Sequence, residues 1–340
     1  MKLRWPKPLT PGDRIGVTAP SSGVAPALRP RLDFAVDWLR EAGYEVVLGE
    51  CLGRDSHVSA PKVERAAELT SMLCDPAIAA VVPPWGGETA IDLLDQLDWA
   101  RLAEADPTWV VGFSDSSTWM VPLTLRLGWP TLHGTNLMDT PYRAVPGLRH
   151  WTEIAAAEGW VTQQASGVFG LNGYGDWATD PRDVDYRLDR AGTWSLEGGD
   201  RLDVTGRLIG GCIETVCNLA GTPFGDVPGF GRQEAEEGLI VYLEAAGDDA
   251  YTICRNLHGL RYAGWFEHAR AVIIGRTSAP DQDTLTQREA VLDALGSLGL
   301  PIVFDVECGH VPPYLPLVNG ALARVEVAGD HRVISQRIGE

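Results

Sequence analysis

The chain has 340 residues, enough for one large or two medium domains, and two are favoured. Its 28 basic against 46 acidic residues give a formal net charge of -18, which argues against a nucleic-acid polymer or an anionic membrane surface as partner. No run approaches the roughly 18 uninterrupted apolar residues of a membrane span, and the opening Met1-Lys-Leu-Arg-Trp-Pro6 has no signal-like apolar core, so a cytoplasmic protein is expected.

In chain order, the first third alternates β-like and helical patterns. Strands are predicted over Arg14 to Thr18, Glu45 to Leu48, Ala79 to Val82 and Trp109 to Val111. Helices are predicted over Pro30 to Ala42, Lys62 to Cys74, Ala90 to Leu97 and Ser116 to Leu127, the last expected to kink or end early at Pro122. Such alternation predicts parallel βαβ units in a Rossmann-like α/β domain over 1–150. From about Gly147 to Leu202 no period is sustained, and 151–202 is taken as a linker and active-site loop.

A second α/β domain with a mixed sheet is predicted over 203–340. Its strands are expected from Val204 to Gly211, Gly238 to Glu244, Ala271 to Ile274, Ile302 to Asp305 and Ala323 to Val327. Helices are expected at Cys212 to Leu219, Asp249 to Leu260 and Leu285 to Leu298. The six cysteines have no CxxC or zinc spacing, so neither a disulfide nor a metal site is predicted, and no cofactor.

Ligands of open α/β sheets collect at the carboxyl ends of strands, where Ser21, Ser22, Gly86, Gly87 and Ser114 should lie. Ser114 is the candidate nucleophile. It follows the apolar run Trp109 to Val111 and Gly112 and precedes a helix, so its oxygen would point away from the sheet. The following backbone N–H groups, aided by the helix dipole, would hold an oxyanion. The alternative is an ordinary helix cap, a role that suits Ser and Asp.

A seryl nucleophile needs a base, and the base needs an acid to orient it. His310 stands in Gly309-His310-Val-Pro-Pro313 after a strand, whereas His57, His133, His150, His258, His268 and His331 have no second signal beside them. Glu244 ends the strand Leu239 to Leu243 and can fix the tautomer of an imidazole. Taken singly, Glu244 reads as a capping or ion-pairing acid and His310 as a loop histidine satisfied by backbone hydrogen bonds; only their combination lifts them. The order Ser, Glu, His is permitted for a triad, but Gly112-Phe-Ser-Asp-Ser116 is not the G-x-S-x-G elbow of α/β-hydrolases. A different class, a non-catalytic nucleotide-binding Rossmann protein, lacks both the G-x-G-x-x-G and the P-loop lysine.

Several ordered motifs carry a resemblance. Gly12-Asp-Arg-Ile-Gly-Val-Thr-Ala-Pro-Ser21, Trp85-Gly-Gly-Glu88, Gly112-Phe-Ser-Asp115, Gly206-Arg-Leu-Ile-Gly-Gly211, Leu243-Glu244, Ile273-Ile-Gly-Arg276 and Gly309-His310 resemble the LD-carboxypeptidase family. That family includes murein tetrapeptide carboxypeptidases and microcin C self-immunity peptidases. The resemblance implies a homodimeric serine peptidase with Ser114 as nucleophile, His310 as base and Glu244 as its orienting acid. It implies an oxyanion hole from the Asp115 N–H with one from the Gly86-Gly87 turn, and a small peptide or peptidyl-nucleotide substrate.

Murein-cleaving members carry Arg-Gly-Gly-Tyr-Gly where this chain has Trp85-Gly-Gly-Glu-Thr89. The segment holding Trp160, Trp177 and Trp194 resembles the aromatic loop that covers a nucleotide base in immunity peptidases, with Trp177 or Trp194 as the stacking candidate. With 12 tryptophans in the chain, packing is the competing role. Arg276 would neutralise a substrate carboxylate or phosphate, or serve an interdomain ion pair. Glu88 would repel anions, bind an amine, or cap the Ala90 helix.

Overall fold

The computed structural model describes residues 2–53 and 56–339. Short, bulky, apolar runs bounded by glycine and proline give β1 (Arg14–Val17), β2 (Glu45–Leu48), β3 (Ile78–Val81), β4 (Trp109–Gly112) and β5 (Thr131–His133). The crossovers carry α1 (Arg29–Glu41), α2 (Lys62–Leu73), α3 (Trp99–Glu104) and α4 (Ser117–Leu127). These strands pair in parallel in the order β5-β4-β3-β1-β2, the α/β arrangement that the alternation predicts.

Two local expectations change. The predicted helix from Ala90 to Leu97 is a single 3-10 turn over Ala90–Leu93. Asp98 then starts α3, its carboxylate accepting the N–H of Arg101 at 3.0 Å. Pro122 does not end α4, which runs on to Leu127 and stops at Gly128 with φ 68. The proline removes one ladder bond, but nine of the eleven residues of α4 are buried, and that packing holds the helix together.

The middle segment is more regular than its sequence suggests. It forms α5 (Trp151–Ala155), β6 (Gly159–Gln164), the hairpin β7 (Val168–Phe169) with β8 (Arg190–Ala191), and β9 (Ser195–Leu196). The second half adds β10 (Arg201–Cys212), α6 (Ile213–Val216), α7 (Val227–Glu234), β11 (Leu239–Glu244), α8 (Ala250–Tyr262) and β12 (Ala269–Gly275). After these come α9 (Gln287–Leu295), β13 (Ile302–Val306), β14 (Leu317–Asn319), β15 (Leu322–Ala328) and β16 (His331–Ile338). The second sheet runs β6-β16-β15-β10-β11-β12-β13-β9, parallel from β10 to β13 and antiparallel elsewhere, so it is mixed as expected.

The two sheets are joined. β14 leaves the second half and pairs antiparallel with β5 at the edge of the first sheet. At its end, the Asn319 side-chain oxygen accepts the Gly210 N–H (2.9 Å) and the Tyr242 hydroxyl (2.8 Å), while its amide donates to Thr131 Oγ1 (3.2 Å). One apolar cluster runs from Leu69, Trp119 and Met120 into Ile209, Val241 and Leu257, so both units bury surface against each other. All six cysteines are free thiols. Among the described residues, no helix is long and apolar enough to cross a membrane.

Candidate active site

β4 is buried throughout and delivers the chain to Gly112, after which Phe113 is extended and Ser114 turns sharply. Ser114 has φ 62, a left-handed conformation that costs a non-glycine residue about 1–3 kcal/mol and needs support from its surroundings. Asp115 supplies it. Its buried carboxylate accepts the Ser21 hydroxyl (2.5 Å), the Ala90 N–H (2.8 Å) and the Thr118 hydroxyl (3.1 Å), tying the turn to three other stretches. Ser21 is thereby committed to structure, as is Ser22, which donates to the His57 carbonyl.

The Gly86-Gly87 turn packs directly on the serine. A Cβ at Gly86 would lie 2.9 Å from Ser114 Cβ and 3.2 Å from the Asp115 nitrogen. Gly87, at φ 146, leaves no room for a side chain beside the Ser21 and Ser22 hydroxyls. Gly86, Ser114 and the Asp115 N–H are therefore brought together, with Trp85 half-buried at the rim and its indole N–H on the Ser22 carbonyl. Glu88 is exposed, and the 3-10 turn after it has no side-chain cap.

Glu244 ends β11 fully buried, and His310 follows β13. His310 Nδ1 lies 2.7 Å from Glu244 Oε2. Two glycines make the slot for this acid: a Cβ on Gly275 would sit 2.6 Å from Glu244 Cβ, and one on Gly309 would sit 2.9 Å from Glu244 Oε2. Burial opposes the imidazolium, but the charge and hydrogen bond of Glu244, followed by Glu214 and Asp139, outweigh it and raise the pKa of His310. The Phe113 ring, adjacent to Ser114, lies 4.9 Å from the imidazole, so the loop after β13 faces the turn after β4. Among the described residues, no hydrogen bond links Ser114 Oγ to His310.

Three groups beside this site carried no sequence signal of their own. His133 ends β5 rather than lying in a loop and is fully buried, with Nδ1 2.7 Å from the Tyr314 hydroxyl. Burial, assisted by the charge of His310, lowers its pKa to about 3, so it stays neutral. Burial raises the Asp139 carboxyl to about 7 against the opposing charges of Arg31 and His310. Glu214 Oε1 accepts the N–H groups of Ala246 (2.8 Å), Gly247 (2.9 Å) and Asp248 (3.1 Å), fastening the loop that follows Glu244. The run Thr131-Leu-His133 between Pro130 and Gly134 was the available clue to a strand ending in a histidine.

The aromatic candidates separate. Trp194 is 1% exposed and its indole N–H donates to Glu307 Oε2 (2.5 Å), so it is sealed into the second domain's core and has no face for a base. An indole N–H must be satisfied when buried, and Glu307 satisfies this one. Trp177 is half-buried, with the Arg31 guanidinium 5.0 Å from its ring and its N–H on the Tyr142 hydroxyl (2.9 Å). Trp160 is exposed on β6. Arg276 is 5% exposed and lies over the Phe169 ring at 4.3 Å, while both terminal nitrogens lack a hydrogen-bond partner. Burial lowers its pKa, against the charges of Glu307 and Asp305.

Residues 15–134 match the LD-carboxypeptidase N-terminal domain, and residues 205–325 match the LD-carboxypeptidase C-terminal domain. A putative carboxypeptidase of Streptomyces coelicolor is 30% identical over 329 residues, spanning 96% of this chain and 94% of that protein. The chain belongs to the LD-carboxypeptidase family. Within it, the murein tetrapeptide carboxypeptidase of Pseudomonas aeruginosa is 25% identical over 300 residues, or 87% of this chain and 88% of its own. The solved structure of a microcin C7 self-immunity protein with aspartyl sulfamoyl adenosine matches the fold with TM-score 0.82 at 22% identity, over 98% of each chain. This LD-carboxypeptidase homologue thus shares the two-domain α/β architecture of that protein.

Proposed function

We propose that the protein is a serine peptidase that cuts an amide or amide-like bond at the end of a short peptide or of an aminoacyl or peptidyl nucleotide. The observation that carries this is the 2.7 Å contact of His310 with buried Glu244, set against a left-handed serine at a strand-to-helix turn. Ser114 Oγ attacks the carbonyl carbon while His310 takes its proton, and Glu244 stabilises the imidazolium. The Asp115 N–H and an N–H of the Gly86-Gly87 turn hold the tetrahedral oxyanion. His310 then protonates the leaving amine, and water releases the acyl group from Ser114 by the reverse proton path.

Nucleotide conjugates are the first substrate class, supported by the sulfamoyl adenosine complex of the structural relative and by the Tyr142, Tyr174, Trp177 and Tyr186 cluster. In that cluster, Trp177 is the residue left to meet a base. Arg276, with two unpartnered nitrogens, serves an anionic group of the substrate. The second reading, murein tetrapeptide cleavage, draws on the Pseudomonas aeruginosa relative.

Three measurements test these statements. Ser114→Ala should fold normally and lose roughly 10⁴ or more in kcat, and a fluorophosphonate probe should label Ser114 in the wild type alone. Near-wild-type turnover in Ser114→Ala would end the assignment. Parallel kcat/KM values for murein tetrapeptide and an aminoacyl sulfamoyl adenosine decide the substrate class.

A further inference from the structure

Beneath the site two polar atoms are buried without hydrogen-bond partners, His133 Nε2 and Glu244 Oε1. They face each other 4.0 Å apart. At that distance the contact is a charge–dipole interaction, longer than a formed hydrogen bond. Its sign depends on where the imidazole proton sits. If Nδ1 carries it, a lone pair on Nε2 confronts a carboxylate oxygen in a buried setting, which is repulsive. If the Tyr314 hydroxyl donates to Nδ1, at 2.7 Å, the proton sits on Nε2 and points positive toward Glu244.

We infer that His133 is a positioning residue for the proposed hydrolysis: its Nε2–H holds one oxygen of Glu244 so that the other stays on His310 Nδ1, and Tyr314 fixes the tautomer. This rests on the hydrolase assignment of Ser114, Glu244 and His310. It follows that the acid and base of the second domain are oriented by a strand of the first. Burial, which keeps His133 neutral, suits this role, because a cationic neighbour would compete with His310 for the carboxylate.

The groups that face His310 are Glu244 from β11, Glu214 after β10, and Asp139 and His133 from β5 and the stretch after it. Glu244 also faces Cys212, Cys308, Tyr174, Tyr242 and Tyr314, all held neutral by burial. Without the His133 dipole, Glu244 is free to turn away from His310, which weakens the charge and hydrogen bond that raise the imidazolium and lowers the pKa of His310.

The test uses the full chain and whichever substrate Ser114→Ala fails to turn over. His133→Leu should move the acid limb of kcat/KM downward by about half a pH unit or more and lower kcat roughly 10-fold through misplacement of the base. His133→Gln, which keeps an N–H at the same reach, should restore the limb. Independently, ¹⁵N NMR of histidine-labelled wild type should show His133 as the neutral Nε2–H tautomer down to pH 5, its signal identified by its loss in His133→Gln. A wild-type limb in His133→Leu, an Nδ1–H tautomer, or a cationic His133 at pH 6 overturns the positioning role and leaves the hydrolase assignment intact. Turnover that survives Ser114→Ala overturns the assignment itself. If His133→Leu does not fold, the tautomer measurement on the wild type still decides.

Discussion

Asp139 shows how one buried side chain ties stability to pH. Its carboxyl keeps a proton up to about 7 in the fold, whereas an unfolded chain releases it near pH 4. The native state therefore binds more protons across that window, and the contribution of Asp139 to stability is full below about pH 4 and lost as pH rises through about 7. His133, held neutral, works in the opposite sense at acid pH, so the comparison must be between variants. The Tm of wild type minus that of Asp139→Asn should fall between pH 4 and pH 8. A difference that stays flat would mean that Asp139 is ionised throughout. Ser114 and Glu244 were legible at this scale because each sits where a β-like run stops, and His310 because it follows one in a Gly-His-Val-Pro-Pro loop. Asp139 and His133 were not, since their behaviour comes from burial, which a lone Asp or His in sequence does not declare.

Among the elements, glycines at strand ends decide the geometry. Gly275 ends β12 beside Glu244, and a methyl group there would sit 2.6 Å from Glu244 Cβ. Gly275→Ala should cost about 1–3 kcal/mol from overpacking and lower kcat/KM roughly 100-fold by displacing the acid. Urea denaturation and steady-state kinetics check both, and unchanged activity would show that Glu244 need not hold its place. Gly86→Ala, with its Cβ 2.9 Å from Ser114 Cβ, should cut kcat and leave the second sheet untouched. The other parallel strands and the long helices could be read from periodicity, but β5, α5, β6 and β14 could not. β6 alternates weakly on an edge and β14 is three residues long, so pairing rather than propensity makes them strands.

For the whole molecule, Asn319 is the pin between sheets. Asn319→Ala strands the Gly210 N–H and the Tyr242 hydroxyl in the interior, which should destabilise the chain by about 3 kcal/mol. Denaturant midpoints measure this, and a loss below about 0.5 kcal/mol would place the interdomain hold in the apolar cluster alone. We propose the division at 1–150, 151–202 and 203–340, and a homodimer, as features of the active protein. A fragment of 1–150 should be inert, because it lacks Glu244, His310 and the β14 edge strand. Light scattering of the full chain should give twice the 36.8 kDa chain mass.

The sequence by itself determined the α/β class, the strand-to-helix turn at Ser114, the acid and histidine at later strand ends, and the family through its ordered motifs. Each of these is written in local periodicity or in short strings around glycine. Only the tertiary structure decided that β14 completes the first sheet, that Trp194 is sealed on Glu307, and that His133 stands behind Glu244. Those facts depend on which distant segments share a buried space. Packing settles that question once the two sheets close on one core.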